Sequence, residues 1–128
     1  MHRSEVTLFR TALLVATIVA TRLATMSLDF TPAVGLNDKV LHVGAFLVLA
    51  SLLDFSFPRN AFGTAKTATL LGYGMTIEVV QHFLPYRTFS LLDWAADAVG
   101  VVLYLAIAVP ILKRTPWLQR RWAPQVSQ

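Results

Sequence analysis

The chain has 128 residues, no cysteine and a formal net charge of +4, and only 14% of its residues are charged. That length suits one domain, and the absence of cysteine excludes disulfides and thiolate metal sites. Apolar residues make up 55% of the chain and its mean hydropathy is +0.59, in long blocks without the rhythm of an amphipathic helix; the pattern is that of a polytopic helical membrane protein rather than a soluble domain. The basic residues flank these blocks instead of forming a stripe with interleaved aromatics, so no nucleic-acid partner is expected.

The first apolar block runs from about Leu8 to Leu28, with Arg10 and Arg22 placed to snorkel near its ends. Thr11 to Thr21 has the length of a signal-peptide core, but no small-x-small cleavage site follows, so a membrane span is expected. Pro32 and Gly35 mark a short loop, and Asn37 or Asp38 is a suitable N-cap for the second span, about Asp38 to Phe57. Pro58, Arg59 and Asn60 end that span, and a short basic connection reaches Lys66.

The third span is expected from about Lys66 to Leu84. Ala68, Gly72 and Thr76 recur every four residues along it, a ridge of small side chains suited to close helix packing in lipid. Gly72 and Gly74 resemble the opening of a dinucleotide-binding fingerprint, but Ile77 stands where the third glycine belongs, and the segment is apolar. Pro85, Tyr86 and Arg87 form a turn. The fourth span runs from about Leu91 to Leu112, with Ala96 and Gly100 as a second close-packing pair and Pro110 near the far end. A basic, aromatic tail follows over residues 113–128, with Lys113, Arg114, Trp117, Arg120, Arg121 and Trp122 reading as an anchor at an anionic leaflet.

The expected fold is therefore all-α, a single polytopic domain with four transmembrane helices. Eight basic residues (Arg3, Arg10, Arg59, Lys66, Lys113, Arg114, Arg120, Arg121) fall on the side of the termini and second connection, against Arg22, Lys39 and Arg87 on the other. The positive-inside rule makes both termini cytoplasmic. Asp29, Asp38, Glu78, Asp93 and Asp97 lie toward the outer face and Glu5 and Asp54 toward the inner, so function is expected at the outer face.

There the polar residues stack in layers. At about 1.5 Å of rise per residue, Asp38, Lys39, Arg87 and Asp93 form a rim, His42, Gln81, His82 and Asp97 lie one turn in, and Glu78 lies about two turns in. Each charge facing lipid would cost roughly 2.5–3.5 kcal/mol at mid-membrane, so convergence of three helices on one polar pocket is expected.

These residues carry a resemblance. Asn37-Asp38-Lys39-Val40-Leu41-His42 resembles the D-K-x-x-H opening of the VanZ-like membrane protein family, and Glu78-x-x-Gln81, then Arg87 and Asp93, resembles its E-x-x-Q…R…D block, over residues 37 to 104. Asp97 stands where asparagine is expected, Tyr86 where glycine is common and Tyr104 where a small residue is frequent. The resemblance implies a small multi-pass protein of the bacterial inner membrane, in a family named for glycopeptide resistance and without a settled activity.

Several functions compete for this site. In a headgroup site for membrane lipids or a lipid-linked envelope precursor, Lys39 and Arg87 hold phosphate, with Asp38, Gln81 and Asp97 completing the binding set. In its enzymatic form His42, Glu78 and Asp93 carry acid–base chemistry, although no serine, cysteine or threonine stands out as a nucleophile. In a non-catalytic assembly factor the polar network sets helix register and the outer face docks an envelope enzyme. Proton-coupled transport through Glu78 and His42, with a homo-oligomer supplying more spans, and a divalent metal on His42, Glu78 and Asp93 are lesser readings; no cofactor or metal is assigned.

Overall fold

The computed structural model describes residues 3–27 and 35–115, the backbone alone at 35–37. It contains four long helices: α1 (Arg3–Thr25), α2 (Gly35–Ser56), α3 (Thr64–His82) and a last helix made of α4 (Leu91–Leu103), a π-helical segment (Tyr104–Ala108) and α5 (Val109–Arg114). Three are long and apolar enough to cross a membrane: Arg3–Thr25, Asp38–Ser56 and Leu91–Arg114. The expected third span is a helix but not one of these three. Lys66, Glu78, Gln81 and His82 dilute its hydropathy, and most of them turn inward: its buried residues are Lys66, Leu70, Gly74, Ile77, Glu78 and Gln81.

The bundle is built on α2 and α4, which share the most extensive contact. On α4 the inward face reads Asp93, Asp97, Gly100 and Tyr104, at helical spacings of four, three and four residues that keep them in one stripe. A side chain at Gly100 would overlap the Val43 carbonyl and come within 3.0 Å of Phe46 Cβ, so glycine lets the two backbones touch. The expected pair Ala96 and Gly100 is buried on this face. The ridge of Ala68, Gly72 and Thr76 is not a contact: all three are exposed, and a β-carbon on Gly72 would meet nothing within 4 Å. The tight glycine of α3 is Gly74, two positions on. Small residues at a spacing of four define a face without saying which way it points, and the polar residues of α3 decided that.

Phe46, Leu49, Ala50, Leu53, Leu70, Val101 and Tyr104 form the core. α1 lies outside it with no buried residue, and Leu8, Leu14, Val15 and Ile18 are exposed, as lipid-facing side chains would be. It docks with Leu13 and Ala16 packed against the core and through polar and aromatic contacts. The Tyr73 hydroxyl lies 2.8 Å from Thr21 Oγ1 and donates to the Thr17 carbonyl at 3.2 Å, while Phe9 stacks on Phe55 with ring centroids 5.0 Å apart. The π segment begins where Val109 N–H reaches back five residues to the Tyr104 carbonyl. Pro110 follows, lacking an N–H and crowding the carbonyl four residues before it, and a widened turn accommodates that ring.

Asp38 lies in the first turn of a helix that starts at Gly35, so it is not the N-cap. The expected loop residues Asp29 and Pro32, and Trp117, Arg120, Arg121 and Trp122 of the tail, lie outside the described residues.

Candidate polar site between the helices

α2 and α4 are joined at one end by two polar rungs. Lys39 Nζ donates to Asp93 Oδ1 at 2.7 Å. One turn deeper, His42 Nδ1 lies 2.8 Å from Asp97 Oδ1. The first rung is at the rim, with the Lys39 side chain 43% exposed; at the second, Asp97 is 2% exposed. Rim and inner layer thus pair at the depths their positions along the chain give them: Lys39 takes Asp93, and His42 takes Asp97. The aspartate at position 97 is what fixes the imidazole.

Glu78 lies deepest and is fully buried. Its Oε2 accepts the backbone N–H of Ser90 at 2.8 Å, and Ser90 is the N-cap of α4, its own side chain accepting from Asp93 N–H. One carboxylate of α3 therefore holds the entry to α4. Its other oxygen, Oε1, is buried without a hydrogen-bond partner among the described residues. Asp93, His42 and Asp97 are the charged side chains that act on it.

Asp38, His42, Gln81, Tyr86, Arg87, Thr88 and Asp93 line a cleft of about 190 Å³ at this end. Of the eight residues expected at the site, Asp38, His42 and Asp93 line it, Lys39 and Asp97 pair with lining residues, Glu78 lies below it, and Gln81 and Arg87 line it as well. Those two also face α1. Gln81 Nε2 donates to the Ala24 carbonyl at 2.9 Å, Arg87 donates to the carbonyls of Leu23 and Met26 at 3.1 and 3.0 Å, and the Tyr86 hydroxyl donates to Thr25 at 2.9 Å. The turn after α3 therefore caps the C-terminal end of α1, whose last carbonyls have no helical partners. His82 is exposed, edge-on to Phe83 and Phe89, and takes no part in the cleft.

Ligand atoms of Asp38, His42 and Asp93 all lie within 4.8 Å of one another. The expected metal set named Glu78 instead of Asp38; Glu78 sits below the cleft and Asp38 lines it.

Two features were missed in the sequence. Thr88 reaches the cleft from the turn. At the opposite end Lys66, read above as a topology signal, is 7% exposed and donates to Asp54 Oδ1 at 2.7 Å and to the carbonyls of Phe57 and Asn60 at 3.0 and 2.7 Å. The Tyr104 hydroxyl donates to the other Asp54 oxygen at 2.6 Å. Asp54 and Lys66, twelve residues apart across a turn, and Tyr104, on the Asp97–Gly100 stripe, were the available signals.

No family model matches the chain, and no solved structure matches it. It is similar to an uncharacterized protein of Schizosaccharomyces pombe, C11E3.10, with 38% identity over 93 residues that cover 68% of this chain and 57% of that protein. The chain thus spans little more than half the length of the curated relative it matches.

Proposed function

We propose that the chain is a four-span membrane protein of VanZ-like type whose polar cleft receives a phosphate-bearing headgroup, of a membrane lipid or a lipid-linked precursor. The observation that carries this reading is the cleft itself: Arg87 lines a polar hollow and Lys39 is paired to Asp93 on its wall, at the end of a bundle whose outer surface is apolar. Lys39 is a half-exposed base that donates to Asp93. Arg87 contributes charge while it anchors α1. At 19 residues α3 is about 28 Å long, close to the roughly 30 Å hydrocarbon core, and its inward polar face and three apolar neighbours support a fourth span. With four spans the excess of basic residues puts both termini in the cytoplasm and the cleft at the opposite face. The yeast relative lends no support to a bacterial inner membrane, so the reading rests on headgroup chemistry alone.

Native mass spectrometry of the detergent-purified protein tests it. A phosphatidic acid or phosphatidylglycerol molecule is expected to be retained in preference to phosphatidylcholine, and to be lost in Lys39→Ala. Equal retention of the neutral and acidic lipids, or retention indifferent to Lys39→Ala, would defeat the reading.

A second reading has its own support. The contacts of Lys39, His42 and Glu78 each tie one helix to another, α2 to α4 at both rungs and α3 to the start of α4 at Glu78, as a network that sets helix register for a non-catalytic assembly factor would. Under that reading the same substitutions lower thermal stability and leave lipid retention unchanged.

A further inference from the structure

We propose that Asp38, His42 and Asp93 form a binding site for a divalent transition-metal ion, with Asp97 as the residue that positions His42. The three side chains come from two helices and line one cleft, with ligand atoms within 4.8 Å of one another. Donors about 2.1 Å from a tetrahedral ion lie about 3.4 Å apart, so side-chain movements of up to about 1 Å close the set. His42 offers its Nδ1 to Asp97, itself 1% exposed. With Nδ1–H donating to that carboxylate, Nε2 is left as the lone-pair donor; a carboxylate behind the imidazole fixes the tautomer and raises the basicity of the ligating nitrogen. Asp93 keeps Oδ2 for the ion while Oδ1 accepts from Lys39. Asp38 makes no hydrogen bond among the described residues, although it lines the cleft.

A second observation points the same way. Glu78 is fully buried beneath these groups with Oε1 unpartnered among the described residues, and Asp93, His42 and Asp97 are its charged neighbours. Among the described residues the carboxyl groups of Asp38, Glu78, Asp93 and Asp97 gather near Lys39 and Arg87, so acidic groups outnumber basic ones. A divalent cation restores the balance, and a metal-bound water is the partner that Glu78 Oε1 lacks. Two carboxylates and one imidazole suit Zn²⁺, Mn²⁺ or Co²⁺ rather than Ca²⁺ or Mg²⁺, which take oxygen-only sets. Three protein donors leave coordination positions open, and a headgroup phosphate oxygen fits there; that last step alone rests on the function proposed above.

The test uses the full chain in detergent, free of any affinity tag and stripped by chelation, titrated with Zn²⁺ by calorimetry and with Co²⁺ by visible absorption. One ion per chain is expected, with binding abolished in His42→Ala, weakened roughly 10–100-fold in Asp97→Asn and unchanged in the exposed His82→Ala. Asp38→Asn removes a donor at the rim without touching the core, so it serves where His42→Ala does not fold, and it too is expected to abolish tight binding. No saturable binding, or equal binding in wild type, His42→Ala and Asp38→Asn, overturns the site. Acidic lipid retained by a protein that binds no metal overturns the metal site and leaves the headgroup reading standing. Metal bound with no lipid retained does the reverse.

Discussion

A β-carbon built on Gly74 of α3 would lie 2.6 Å from Oδ2 of Asp97 on α4. The carboxylate that orients His42 is thus seated in a space that exists because position 74 has no side chain. Asp97 is buried and held by His42, so it has little freedom to move aside. Gly74→Ala is expected to destabilise the protein by about 1–3 kcal/mol through overpacking. Gly100→Ala should cost at least as much, because the obstacle there is the backbone of α2. Gly72→Ala, with nothing within 4 Å, should instead gain about 0.5–1 kcal/mol from helix propensity. Thermal unfolding in detergent ranks the three; a Gly74→Ala protein melting at or above wild type would contradict this packing.

The Asp54–Lys66 pair is buried and wrapped by two carbonyls and a hydroxyl. Lys66→Met removes the buried cation paired with Asp54 and leaves the Tyr104 hydroxyl on its other oxygen, so a loss of up to about 3–5 kcal/mol is expected. Tyr104→Phe keeps the ring against Phe62 and deletes one hydrogen bond to a charged group, for about 1.5–3 kcal/mol. Chemical denaturation in mixed micelles measures both. Tolerance of Lys66→Met would return Lys66 to the role of a surface charge.

Arg87 and Tyr86 hold the C-terminal end of α1 through its carbonyls. Arg87→Lys loses the planar fork that reaches two carbonyls at once, and each hydrogen bond forfeited is worth roughly 0.5–1.5 kcal/mol. Amide hydrogen exchange over the last turn of α1 should therefore accelerate several-fold in Arg87→Lys and further in the double variant with Tyr86→Phe. Exchange in α2 should not change. Unaltered protection of α1 would mean that Tyr73 and Phe9 suffice to dock it.

Lys39 and Asp93 form the exposed rung, and exposed ion pairs contribute little to stability because water and salt screen them. Lys39→Met should leave the melting temperature where it is, while acidic-lipid retention falls and loses its dependence on ionic strength. A variant with both properties unchanged would place Lys39 outside any function.

Helix number, approximate helix bounds and the relative level of the polar residues along the helices were legible in the chain, because apolar block length and the rise per residue are local quantities. Depth placed Lys39 level with Asp93, His42 level with Asp97, and Glu78 below them. Partner choice was not legible: that Asp97 takes His42 and the α1 carbonyls take Arg87 depends on helix rotation and crossing. The same holds for Lys66, whose charge gave a plausible topology signal until the turn folded it onto Asp54. Gly72 and Gly74 are two residues apart and carry the same chemistry, yet only one touches α4. Rotation of α3 about its axis separates them, and that rotation is set by where its buried polar side chains find partners on other helices.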